Sequence, residues 1–84
     1  PKAASLKKDL TKLVLDGQLE AALEMAMIHA EKKSPDHLHD TIHLLSEYRH
    51  YEERERKGIL DQQTISTARA RIRDSLLQLA NLMS

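Results

Sequence analysis

The chain has 84 residues, with 13 basic and 13 acidic side chains and no formal net charge. That length supports one hydrophobic core and not two, and the balanced charge leaves no global field to attract nucleic acid or anionic lipid, so electrostatic recognition has to be local. The absence of cysteine excludes disulfide frameworks, thiolate metal sites and thiol nucleophiles.

Without Phe or Trp, and with only Tyr48 and Tyr51 as aromatics, the core must be built from Leu, Ile, Ala and Met. Leu and Ala favour helix over strand. No apolar run approaches the roughly 18–20 residues of a membrane span, and Pro1-Lys2-Ala3-Ala4-Ser5 is not followed by a signal-peptide hydrophobic region. The expectation is a cytoplasmic chain, or one module of a larger cytoplasmic protein, with residues 1–84 forming a single helical protein-interaction domain.

Gly17, Pro35 and Gly58 punctuate the apolar periodicity and divide the chain into four helices. The first is predicted from an N-cap at Ser5 through Leu6, Leu10, Leu13 and Val14, one apolar stripe ending at Asp16-Gly17, where glycine can take the left-handed C-terminal conformation. The second covers about Gln18 to Lys33. Leu19, Ala22, Leu23, Ala26 and Ala30 lie on one side, and Met25, Met27 and Ile28 widen the arc, so this helix should be contacted on more than one side and its alanines should admit a close neighbour.

Ser34-Pro35-Asp36 is a helix start: a capping hydroxyl, a proline whose missing N–H costs nothing at the first position, and an acid favoured by the helix dipole. The third helix then carries Leu38, Thr41, Ile42, Leu45 and Tyr48 as its stripe, flanked by Leu44 and Tyr51. Nothing breaks it before Gly58, giving roughly 33 Å at 1.5 Å per residue. After Gly58-Ile59-Leu60, Asp61 is the expected N-cap of a fourth helix, in which Ile65, Ala68, Ile72, Leu76, Leu79 and Met83 recur at helical spacing beside Leu77, Ala80 and Leu82. So short a connection forces helices three and four into an antiparallel hairpin. The predicted fold is all-α, a four-helix bundle with two short N-terminal helices packed on a long C-terminal antiparallel helical hairpin.

The residues that carry chemistry are few. His39, His43 and His50, with Glu47 between, share the third helix, but a zinc site needs three or four convergent ligands with further support, and a charged helix carrying several histidines is the plainer reading. No metal or cofactor is expected. The serines lack a nucleophile-elbow glycine context, no glycine-rich phosphate loop is present, and Glu52-Glu53 sit in a solvated charge run without an apolar pocket to shift their pKa values. Catalysis is not expected.

Charge patterning is more informative. Arg69, Arg71 and Arg73 cluster on the fourth helix, and Arg69 and Arg73 are like-charged i, i+4 neighbours, an arrangement that costs a few tenths of a kcal/mol unless an acid compensates. That acid can come from within, since Glu47 to Glu52 lie roughly level with these arginines across the hairpin, or from a partner chain, in which case opposite signs set orientation and specificity. In the run Arg49 to Lys57, Glu52 with Arg56 and Glu53 with Lys57 are favourable i, i+4 pairs. The interface candidates are Arg49, Glu52, Glu53, Arg56, Arg69, Arg71 and Arg73, on either a protein-binding adaptor or, alternatively, a nucleic-acid-binding or regulatory helical domain using the arginine cluster. Zero net charge, the nearby Asp74 and the lack of stacking aromatics weigh against the second, so nucleic acid is the less favoured partner. A third option is an oligomerisation module that buries Met25, Met27 or Leu77 against a copy of itself.

Four stretches carry a family look: Leu13 to Leu23 (LVLDGQLEAAL), Ile42 to Tyr51 (IHLLSEYRHY), Arg56 to Leu60 (RKGIL) and Arg71 to Leu79 (RIRDSLLQL). In that order the chain resembles the bacterial effector-associated domains, small helical adaptors of prokaryotic conflict systems that are compared with death-like domains. The resemblance implies a non-catalytic adaptor that brings an effector, such as a protease or other enzyme on the same or a neighbouring polypeptide, to its sensor by like-with-like contact, with homo-oligomers as one form of that contact.

Overall fold

A computed structural model describes residues 2–83, and side chains from Leu6 onward. Among the described residues there are four α-helices and no strand: α1 Lys2–Leu15, α2 Leu19–Lys33, α3 Leu38–Arg56 and α4 Gln62–Met83, with a 3-10 turn at Pro35–His37. The two N-terminal helices, 14 and 15 residues long, pack on an α3–α4 hairpin of 19 and 22 residues. The all-α expectation and its division into two short and two long helices therefore hold.

Each helix packs on its neighbour in the chain, α1 closes the ring against α4, and α2 also reaches α4 across the diagonal. That diagonal follows from the alanines. On α2 the buried residues are Ala22, Leu23, Ala26 and Ala30, and three side chains of one carbon each keep the helix surface low enough for neighbours on several sides to come close. The core they help enclose is aliphatic, with Leu10, Leu23, Ile65, Ile72 and Leu76 almost wholly removed from water, each contributing about 1.5–3 kcal/mol of hydrophobic stabilisation. Thr41 is the one buried polar residue among those described, and its hydroxyl donates to the Leu38 carbonyl at 2.8 Å.

The helix ends differ in part from expectation. Helix α1 starts at Lys2, so Ser5 lies inside its first turns and not at its cap. Lys2, Ala3 and Ala4 are all good helix formers and carry the helix back past the serine. At the α2–α3 junction the Ser34 hydroxyl makes no capping bond. The Ser34 carbonyl instead accepts the His37 N–H at 2.9 Å, closing the 3-10 turn, and regular α-helix begins only at Leu38. The α3 stripe is also rotated: Ile42 is 44% exposed and Leu44 is buried with Thr41, Leu45 and Tyr48. Because α3 is contacted by α2 on one side and α4 on the other, its buried arc is centred between them, and Ile42 falls beyond its edge.

The two glycine closures do match expectation, and they share one geometry. Gly17 has φ 76° and Gly58 φ 72°. At the first, Gly17 N–H donates to the Val14 carbonyl and Gln18 N–H to the Leu13 carbonyl; at the second, Gly58 N–H donates to Glu55 and Ile59 N–H to Arg54. This is the Schellman arrangement, which satisfies carbonyls that a helix end leaves without partners. Asp61 caps α4 as expected, its Oδ1 accepting the Thr64 N–H at 2.8 Å.

Two outcomes follow. A Cβ on Gly58 meets nothing within 4 Å, so Gly58→Ala should cost only the left-handed backbone penalty, about 1–2 kcal/mol, read as a lower denaturant midpoint with an unchanged slope. Asp61→Ala should lower the melting temperature, and should do so less at acid pH. The bond from the Thr64 N–H, then that from its hydroxyl, holds the Asp61 carboxyl below its ordinary 3.8. The capping contribution is therefore full above that pH and fades as pH falls through the depressed folded value.

Candidate interaction surface

Residues at every second position of a helix do not share a face, and the arginine cluster on α4 is split for that reason. Arg71 turns to the outer seam between α3 and α4, where its guanidinium holds Glu47 with two bonds of 2.6 and 3.4 Å. Arg69 lies on the other side of α4 and donates to Glu55 Oε1 at 2.7 Å. The internal source of carboxylates thus supplies Arg71 as the hairpin register suggests, whereas Arg69 takes Glu55, one turn beyond the expected Glu47 to Glu52. Glu52 is engaged elsewhere, accepting the Tyr48 hydroxyl at 3.3 Å. Bonding and charge from Glu47 push the Arg71 guanidinium pKa further up.

Arg49 braces a different seam. Its guanidinium is 3.1 Å from Glu20 and 3.8 Å from Glu24 on α2. Glu53 and Lys57 form their expected i, i+4 pair at 3.2 Å, and the Lys57 hydrogen bond, then its charge, holds the Glu53 carboxyl below its ordinary range. Arg56 does not find Glu52 and forms no ion pair among the described residues. Arg73 meets only its chain neighbour Asp74, at 3.3 Å.

The seven candidates therefore do not form one patch. Arg69 and Arg73 do come together, on the rim of an open groove of about 430 Å³ lined also by Tyr48, Ser66, Ala70, Val14 and Leu19. Three elements make it: the α1–α2 turn on one side, α4 on the other, and Tyr48 of α3 as the floor. Burial, then the charge of Glu52, raises the Tyr48 phenol pKa, so the floor is a neutral hydroxyl at physiological pH. The groove offers two half-exposed cations above an apolar and hydroxyl-bearing surface, an arrangement suited to a carboxylate side chain.

Among the described residues no three His, Asp or Glu side chains are grouped so as to hold a metal ion. His39 and His50 are exposed, His50 resting edge-on to Tyr51 at 6.0 Å, and His43 stands at a separate groove beside Asp40. No helix among the described residues is long and apolar enough to cross a membrane. Of the residues considered for self-burial, Met27 packs against the core, Leu77 is half-buried and Met25 is 37% exposed.

Sequence reasoning missed the partners Glu20, Glu24 and Glu55 and the groove residues Tyr48 and Ser66. A signal for the first two was present: Glu20 and Glu24 are i, i+4 on α2 and lie about as far before the Pro35 turn as Arg49 lies after it. Because the Arg71–Glu47 pair is half-exposed, with side-chain exposures of 50% and 24%, a double-mutant cycle on Arg71→Ala and Glu47→Ala should give a coupling of about 0.5 kcal/mol that shrinks in high salt.

No curated protein and no solved structure matches the chain. A family model does: that of Effector-associated domain 11 matches residues 5–84, nearly the whole bundle. The chain belongs to the effector-associated domain 11 family.

Proposed function

We propose that the chain is a non-catalytic adaptor domain that recruits an effector in a bacterial conflict or signalling system by contact with a like, death-like domain. The observation that carries this reading is the extent of the family match, residues 5–84, because it spans all four helices, so association with effectors belongs to the folded unit and not to one segment of it.

The arginine groove supports a contact of this kind on the side of α4 that carries Arg69 and Arg73. Arg49, Arg69 and Arg71 each hold a carboxylate of this chain across a helix seam, whereas Arg73, which shares its groove rim with Arg69, meets its chain neighbour Asp74 at 3.3 Å, an exposed pair that a partner's carboxylate can replace. A carboxylate from the partner entering that groove competes with these exposed internal pairs and sets the orientation of the two domains. Glu52, which accepts the Tyr48 hydroxyl, adds an acid next to the groove floor. Phosphate binding by the arginines is the weaker alternative, because Arg69 and Arg71 face different sides of α4 and already have carboxylate partners.

The test is a charge reversal, Arg69→Glu with Arg73→Glu, assayed against the effector polypeptide that carries the like domain. The expected result is about tenfold weaker binding, or 1.4 kcal/mol, with unchanged helical circular dichroism. Binding that stays at the unaltered level in a folded variant would rule out the groove. A bound duplex whose affinity falls steeply with salt would favour nucleic acid instead.

A further inference from the structure

Two surfaces outside the arginine groove complement each other. The first is the outward face of α1. Leu6 and Leu10 turn inward and are buried, which places Lys8, Lys12 and Leu15 on the opposite side of the helix, with Lys7 beside them. These residues and Thr11 line a shallow concavity whose wall is mostly lysine methylene and leucine. Leu15 is 81% exposed, the most exposed large apolar side chain on the described surface. Lys7, Lys8 and Lys12 form no ion pair among the described residues. The face is an apolar knob beside three lysines that hold no carboxylate, with Asp16 next in the chain as the nearby acid.

The second surface is a groove on the outer seam between the start of α3 and the end of α4. Leu44, Leu79 and Leu82 supply its apolar lining, and Asp40, which has no ion pair among the described residues, stands on its rim with His43. Its volume, about 230 Å³, lies below the roughly 300–1,000 Å³ of small-molecule sites and suits a single inserted side chain. Leu82, 67% exposed on its edge, extends the apolar surface outward.

We infer that Leu15 with its lysines docks into the Asp40–Leu82 groove of a second copy of this chain, joining copies head to tail. The choice of partner rests on the like-with-like reading proposed above; the surfaces do not. Charge complementarity selects the occupant: the groove carries an uncompensated carboxylate beside an apolar floor, and the knob carries, beside an apolar tip, ammonium groups with no ion pair among the described residues. The two cannot meet within one chain, because α1 and α3 occupy opposite corners of the ring, each flanked by α2 and α4. Since knob and groove are different surfaces, the contact is heterologous, and each added copy presents a fresh knob or groove to the next.

The experiment uses two exposed-surface variants of the whole chain. One removes the knob (Lys8→Glu, Lys12→Glu, Leu15→Ser) and the other the groove (Asp40→Lys, Leu82→Ser), each checked for unaltered helical content. By sedimentation velocity the unaltered chain should form a ladder of species that grows with concentration and shrinks with salt, and each variant alone should be a monomer. An equal mixture of the two should stop at the dimer, because one intact knob and one intact groove remain between them. Variants that still assemble like the unaltered chain overturn this contact but not self-association by another face. An unaltered chain that remains monomeric at every soluble concentration also overturns it, and leaves the effector-binding test on Arg69 and Arg73 to be decided separately.

Discussion

The bundle is organised by how closely α2 can be approached. Its buried edge is mostly alanine, so α1, α3 and α4 all reach it, and the diagonal between α2 and α4 closes without a bulky side chain in between. Aliphatic side chains from the other three helices then fill the volume on either side: Leu6 and Leu10 from α1, Leu44 and Leu45 from α3, Ile72, Leu76 and Leu79 from α4. A larger residue on the α2 edge would push the helices apart and strain the packing. With no Phe or Trp to bridge such a gap, a chain of this size depends on close approach more than one with aromatic anchors does.

That packing decides which charges are spoken for. Where two helices are drawn together, the long side chains at their seam meet: Arg49 with Glu20 and Glu24 across α2–α3, Arg71 with Glu47 and Arg69 with Glu55 across α3–α4. Each such exposed pair contributes little to stability, but together they neutralise the seams. Among the described residues, cations without an ion pair lie away from those pairs, on the outward face of α1 and at Arg56 among other places, and Arg73 meets its exposed chain neighbour Asp74. The zero net charge of the chain therefore conceals a sorted surface, and the sorting follows from the helix order.

Helix number, type and punctuation were legible in the sequence because they rest on local chemistry. Glycine at positive φ after Asp16 and after Lys57, a carboxylate before Gln62, and a proline after Ser34 each act over a few residues. Ser5 and Ser34 misled for a related reason: a capping side chain competes with its neighbours, and the helix-forming run before Ser5 and the 3-10 geometry after Ser34 prevailed. The orientation of Ile42 was less legible, since periodicity gives a stripe but not which neighbours flank it. The arginine groove was legible in part. Sequence spacing identified Arg69 and Arg73 as a pair in need of an acid, but Tyr48 as the floor and the α1–α2 turn as the far wall come from three segments distant in the chain, and only tertiary packing brings them together.

Because helices adjacent in the chain are also adjacent in space, with the closure of α1 on α4 and the α2–α4 diagonal as the longer-range contacts, much of this bundle can form from local encounters. Two glycine-closed corners of the same geometry pre-set the hairpins, so little loop entropy stands between the extended chain and paired helices. Such topologies sit at the rapid end of the folding spectrum, and the α1–α4 contact is the one that closes the longest stretch of chain. The groove that Arg69 and Arg73 rim takes one wall from the α1–α2 turn and the other from α4, so it exists only when the ring is complete.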